Sequence, residues 1–336
     1  MVRRSLSSFP AWLGLPTEHD EVFDPQARFV TSYILPPWLL ASIRTIFFLY
    51  ALVTLILDFV FGGADQFAYF TVLSYSGITS WFLISAFQGF TYTHSLARWH
   101  KTFTSSDLPT SDKVQYPQSW LSNKFPRPLQ FAHLLLWSTV ATYPLIVTIV
   151  FWSALSGGAL DGLQRAWQNI SVHGLNLAFA MIDVIVIGRG PMMPWSHLLF
   201  VVCLLALYVG VAYIHYAASG TYVYDFLDPG FVGGQGPLAG VIIGVGVGCC
   251  LSFLVGQFLI WLREWLAALI QRSGGWGSAR PVGVPDNALV PTKFGPGPDG
   301  EGGQRSSSAG PWRQRWPPAI SHSVDSATST TQPHLD

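Results

Sequence analysis

The chain has 336 residues, half of them hydrophobic and only 11% charged, with 14 Trp and a mean hydropathy of +0.37. Its 18 basic and 18 acidic residues cancel, which leaves no field to recruit nucleic acid and no basic cluster of the kind a polyanion requires. Such a mixture belongs to an all-α integral membrane protein, multi-pass, whose first partner is the lipid bilayer itself.

Residues 1–37 read as a cytoplasmic N-terminal segment. Arg3, Arg4, Glu18, Asp20, Glu21, Asp24 and Arg28 lie between Pro10, Pro16 and Pro25, with no apolar core of signal-peptide type, so the first spanning helix must direct insertion. Six runs are long enough to cross a bilayer: 38–61, 67–92, 131–155, 168–188, 195–218 and 238–262. Arg3, Arg4, Arg28, Arg98, Lys101, Lys113, Lys124, Arg127, Arg189, Arg263 and Arg272 fall on one side of this pattern, and Arg165 alone falls in the opposite loops. Basic residues accumulate on the cytoplasmic side, which predicts a six-transmembrane-helix bundle over 38–272 with both termini cytoplasmic, in the endoplasmic reticulum or the plasma membrane.

Within the first span, Arg44 is expected to snorkel to the cytoplasmic interface, and Asp58 lies near the outer end. The fourth span, with Asn176 and Asp183, reads as the least apolar; Asp183 needs a polar partner in the bundle interior, because an unpaired carboxylate there would be neutralised or expelled. In the sixth span Gly236, Gly240, Gly244, Gly248, Ser252 and Gly256 recur every fourth residue and form one stripe without side chains. That stripe is a packing face, for another helix of the same bundle or for a second copy through Gly240, Gly244 and Gly248. Cys203, Cys249 and Cys250 all lie in apolar runs and read as small hydrophobic fillers, with neither disulfide nor zinc spacing. From residue 273 to 336 the chain turns rich in Gly, Pro, Ser and Thr, the composition of a disordered cytoplasmic tail.

The polar residues inside the spans converge in depth. With both termini inside, Thr71 falls about 6 Å, His173 about 8 Å and His215 about 5 Å below the outer boundary, at the helical rise per residue. Ser74 lies one turn below Thr71 on the second helix, and Asn169, His173 and Asn176 share a face of the fourth. A hydroxyl and an imidazole in a low-dielectric layer are the minimum parts for nucleophilic acyl transfer, and nearby amides can orient the imidazole or donate to an oxyanion. Each part also has an ordinary use: a membrane Thr commonly bonds back to the carbonyl one turn earlier, and an interfacial His commonly serves as an amphipathic anchor.

Three segments occur in order: Tyr69-Phe70-Thr71-Val72-Leu73-Ser74, then Asn169-Ile170-Ser171-Val172-His173-Gly174, then Tyr213 through His215 to Ser219-Gly220-Thr221-Tyr222-Val223-Tyr224-Asp225-Phe226-Leu227. Together they resemble the signatures of the androgen-induced protein family, which includes the androgen-dependent TFPI-regulating protein. The resemblance covers roughly residues 38–265. It implies a multi-span membrane threonine hydrolase of fatty acid esters of hydroxy fatty acids, with Thr71 as nucleophile and His173 as base. This chain departs from the family in carrying Ser74 where Asn or Asp is often found, a long loop after the second span and a long tail.

On that reading the substrate is a membrane lipid, no cofactor or metal is expected, and supporting roles fall to Ser74, Asn169, Asn176, His215 and, as an orienter of the base, Asp58. No G-x-S-x-G turn surrounds any serine, which excludes an ordinary α/β-hydrolase. Two other readings fit the same residues. One is a lipid-binding or regulatory membrane protein without turnover. The other is a b-type haem protein clamping haem between His173 and His215, with His94, His133 and His197 near the inner layer.

Overall fold

The computed structural model describes residues 9–17, 21–102 and 117–272; Arg3, Arg4, Glu18, Asp20, Lys113 and the expected tail from residue 273 lie outside the described residues. Six helices are long and apolar enough to cross a membrane: α1 (Pro37–Gly62), α2 (Phe70–Thr102), α3 (Arg127–Leu155), α4 (Leu163–Ile187), α5 (His197–Ser219) and α6 (Gln235–Arg272). No strand forms among the described residues, so the chain is an all-α six-helix bundle of the multi-pass membrane type. The far end of the bundle holds the α1–α2, α3–α4 and α5–α6 connections. The near end holds the N-terminal segment.

Joined through the short turn Ala64–Ala68, α1 and α2 run antiparallel and pack along one another more extensively than any other pair. The most buried span is α3, which touches α2, α4, α5 and α6. The least apolar span is α2 and not, as expected, α4: its run of Thr71, Ser74, Ser76, Thr79 and Ser80 lowers its hydropathy more than Asn176 and Asp183 lower that of α4. Most of these hydroxyls bond back to their own helix, Ser76 to Val72 O (2.7 Å), Thr79 to Tyr75 O (2.8 Å) and Ser80 to Ser76 O (2.8 Å), which lets them sit in an apolar layer.

Large apolar side chains face outward. On α1, Ile46, Leu49, Val53, Ile56 and Val60 recur at spacings of three and four and are each more than half exposed, a stripe for lipid rather than water. The interior carries the charge. Arg44, expected to snorkel, is instead 1% exposed and donates from Nε to Asp183 Oδ1 (2.7 Å), from Nη2 to Asp183 Oδ2 (3.3 Å) and from Nη1 to the Phe29 carbonyl (2.7 Å). Trp81 Nε1 donates to Asp183 Oδ2 (2.8 Å), so the carboxylate that lacked a partner in the sequence has two. The reason is depth: Asp183 lies at the level of Arg44 on a neighbouring helix, and a bidentate pair satisfied on every side replaces the water the guanidinium would otherwise reach for.

The N-terminal segment is part of the packed body. Leu15, Phe23, Phe29 and Val30 are buried under the helices, and Asp24 accepts the Phe29 N–H (3.1 Å). Arg28 pairs with Glu264 of α6 (2.9 Å), which also accepts from Tyr33 (2.9 Å) and Arg263 (2.8 Å). The glycine stripe of α6 divides in two. A Cβ on Gly256 would stand 2.8 Å from the Ala141 carbonyl oxygen, and one on Gly248 would stand 3.3 Å from Ile146, whereas Gly236, Gly240 and Gly244 have nothing within 4 Å. Its lower half is therefore an intramolecular face against α3.

Removing either charge of the central pair is expected to destabilise the fold by about 3–5 kcal/mol, read as a lower unfolding midpoint of detergent-solubilised Arg44→Met or Asp183→Leu. The double variant should recover much of that loss; simple additivity would show that the pair does not couple the helices. Gly256→Leu is expected to cost about 1–3 kcal/mol by overpacking α3 against α6, while Gly240→Leu leaves the midpoint unchanged.

Candidate functional site

At the far end α2 begins at Phe70, and its first-turn amides need partners from outside the helix. The Phe70 N–H donates to the Tyr224 hydroxyl (3.1 Å) across the bundle. Tyr224 is presented by the α5–α6 connection, where Leu227 N–H bonds to the Tyr224 carbonyl (2.9 Å) and Tyr213 donates to the Leu227 carbonyl (3.1 Å). Thr71 follows in the first turn. The residue four earlier precedes the helix, and the Thr71 hydroxyl faces the Tyr224 phenol rather than a carbonyl of its own helix. Burial pushes that phenol above its ordinary value, so Tyr224 stays protonated and able to donate.

Thr71 lines a cavity of about 250 Å³ between α3, α5, α6 and the Tyr224 connection. Its wall is aliphatic and aromatic, with Ile146, Phe151, Leu205 and Ile242 among the contributors, and the hydroxyls on it belong to Thr71, Tyr208 and Tyr224. Phe151 is the link to α4. Its ring stacks on the His173 imidazole with centroids 3.4 Å apart and planes 5° apart. Both residues sit in π-helical turns, Phe151–Leu155 and Ser171–Leu175, a geometry frequent at functional sites. The His173 carbonyl accepts from Thr148 (2.7 Å) and Trp152 (3.3 Å), which fixes the backbone, while the buried ring Nδ1 has no partner. Thr71 and His173 thus reach the same end of the bundle, Thr71 on the wall of the cavity and His173 behind the Phe151 ring that also lines it, with no hydrogen bond joining them.

The other expected residues separate. Asn176 is buried with both amide atoms unpartnered, one turn along α4 from His173. Asn169 turns away from His173 and donates to the Ala159 carbonyl (3.1 Å), where it closes the α3–α4 loop. Asp58 accepts from Gln168 (3.3 Å) at the α1–α4 contact and not from the imidazole. Ser74 bonds back to the Thr71 carbonyl (3.0 Å) and borders a different cavity. His215 is half-buried on α5, and no contact joins its ring to His173. Among the described residues no group of three or more His, Cys, Asp or Glu is placed to hold a metal ion.

Three residues at this end carry more of the geometry than their sequence signal suggested. Tyr224 accepts the Phe70 N–H and faces Thr71; Tyr208 donates to the Ala68 carbonyl (2.9 Å) and fixes the turn before α2; Tyr75, one turn below Thr71, is fully buried with its hydroxyl toward Thr54. A density of tyrosines in 208–224 was visible in the sequence, but not which of them would face α2. Comparison with protein-family models, curated proteins and solved structures finds no match to this chain.

Tyr224→Phe removes the acceptor of the Phe70 amide and is expected to cost about 1 kcal/mol locally, or about fivefold in opening. Hydrogen exchange at the Phe70 amide measures it, and unchanged protection would show that the bond does not hold the start of α2.

Proposed function

We propose that the chain is an intramembrane lipid ester hydrolase in which Thr71 is the nucleophile and His173 the general base, acting on fatty acid esters of hydroxy fatty acids or similar acyl lipids. The observation that carries this reading is the shared wall: the Thr71 hydroxyl opens into an apolar cavity of about 250 Å³, and Phe151, on which the His173 ring stacks, lines that same cavity. An apolar space with few convergent hydroxyls suits an acyl chain whose ester lies at one end. The resemblance of the Thr71, His173 and Tyr213–Leu227 segments to the androgen-induced protein family points the same way.

In the reaction, a ring nitrogen of His173 takes the Thr71 proton as Oγ1 attacks the ester carbonyl. The tetrahedral oxyanion gains a hydrogen bond from the Tyr224 phenol, whose protonated state suits it to donate. Collapse expels the alcohol, which takes the proton from the imidazolium, and leaves Thr71 acylated. Water then attacks the acyl-enzyme with His173 again as base, releasing the fatty acid. Because no hydrogen bond joins Thr71 and His173 at rest, this mechanism requires the two to come together on substrate entry, and the π-helical turns that carry Phe151 and His173 are the irregular backbone at which that movement would occur. The excess of Lys and Arg toward the near end supports a far end at the exoplasmic leaflet, where hydrolytic water would meet an ester whose chains stay in hydrocarbon.

A lipid-binding protein without turnover is the second reading, favoured by the absence of a bond between Thr71 and His173 at rest. Fluorophosphonate labelling separates the two, since only an activated hydroxyl reacts. Wild type is expected to label, Thr71→Ala to lose the label, and His173→Ala to lose both the label and hydrolysis of branched hydroxy-fatty-acid esters by about 10²-fold or more. Equal labelling of wild type and Thr71→Ala would remove Thr71 as nucleophile.

A further inference from the structure

A second cavity, of about 320 Å³, lies between α2, α3 and α5. Leu73, Ser74, Gly77, Thr139 and Val140 border it, none of which borders the first. Two residues belong to both walls, Phe70 and Tyr208, with ring centroids 5.0 Å apart. Tyr143, which borders the second cavity, packs edge-on against Phe70 at 5.1 Å. The partition between the cavities is therefore a layer of three aromatic rings.

Those rings are not held alike. Tyr208 donates to the Ala68 carbonyl (2.9 Å) and Tyr143 to the Val201 carbonyl (2.8 Å), so each is fastened at its tip. Phe70 has no polar tip; its backbone is pinned by Tyr224 while its ring is kept in place only by packing. Rotation of one side chain, with no hydrogen bond broken, would join the two spaces. Size gives the reason for joining them: each cavity lies near the lower bound of roughly 300 Å³ seen for ligand sites, and the two in series exceed it comfortably.

We propose that Phe70 is the specificity-determining partition of this site, dividing one acyl-binding space so that an ester lodges an apolar chain on each side of the ring. This rests on the reading of the first cavity as an acyl site. Because Thr71 directly follows Phe70, a carbonyl held at the partition lies beside the hydroxyl, with one chain in the Phe151 cavity and the other in the Thr139 cavity. Phe70 thereby sets how long a single chain can grow in the first cavity before it must displace the ring.

The test uses the full chain in detergent micelles and displacement of a fluorescent undecanoic acid probe by saturated fatty acids of increasing length. For wild type, affinity is expected to rise about fourfold per added methylene and then level off where the chain end meets Phe70. For Phe70→Ala, and more weakly for Phe70→Leu, the rise should continue over several further carbons; for Phe70→Trp it should stop at the wild-type length or earlier. A plateau at the wild-type length in both Phe70→Ala and Phe70→Leu overturns the partition. Gly246→Phe provides the control: Gly246 lines the first cavity and a Cβ there meets nothing within 4 Å, so the variant fills the space and should abolish probe binding. Probe binding to Gly246→Phe at wild-type strength overturns the acyl-site reading as well as the partition. Fatty-acid displacement involves no turnover, so loss of the hydrolase reading alone leaves this result standing.

Discussion

A buried ion pair organises this bundle. Arg44 of α1 and Asp183 of α4 meet in a layer where neither can reach water, and Trp81 of α2 and the Phe29 carbonyl of the N-terminal segment complete their hydrogen bonds. Four separate stretches of chain are thereby tied at one point. In a bilayer, where apolar helix faces gain nothing by leaving lipid for one another, such a pair specifies which rotation and which depth each helix takes. Its strength lies less in net stability than in the cost of any arrangement that leaves one charge alone.

The candidate site inherits its position from that pair. His173 lies ten residues from Asp183 along α4, about 15 Å at the helical rise, so fixing Asp183 at the near end fixes the imidazole at the far end. The π-helical turns of α4 adjust this spacing locally, and the side chains of Thr148 and Trp152 on α3 hold the His173 carbonyl. Thr71 is fixed differently: the start of α2 is fastened to the α5–α6 connection by Tyr224 and to α5 by Tyr208. Thr71 and His173 thus ride on separately anchored elements.

Hydroxyls in this protein take two forms. Those of Ser76, Thr79 and Ser80 on α2 are consumed by their own helix, which makes them compatible with a lipid-facing or core position without chemistry. Thr71 escapes because a first-turn residue has no helical carbonyl four positions earlier. Buried polar atoms without a hydrogen-bond partner occur toward both ends of the bundle, at His173 and Asn176 on α4 and at Gln88 on α2 and His133 on α3.

The chain alone determined six spans and the placing of Thr71 and His173 toward one end of the bundle, because run length and hydropathy act along one dimension that the bilayer thickness fixes. It also showed that Asp183 needed a partner. Which partner was decided only in three dimensions: Arg44 looked able to reach water, and its neighbour across the helix contact could not be read from a linear pattern. The same holds for Asn169, drawn to the α3–α4 loop, for Asp58, taken up by Gln168, and for Tyr224, whose reach across to α2 depends on how the α5–α6 connection folds. Sequence spacing fixes the height of a side chain in a membrane bundle, but its azimuth and its neighbours follow from packing against helices distant in the chain.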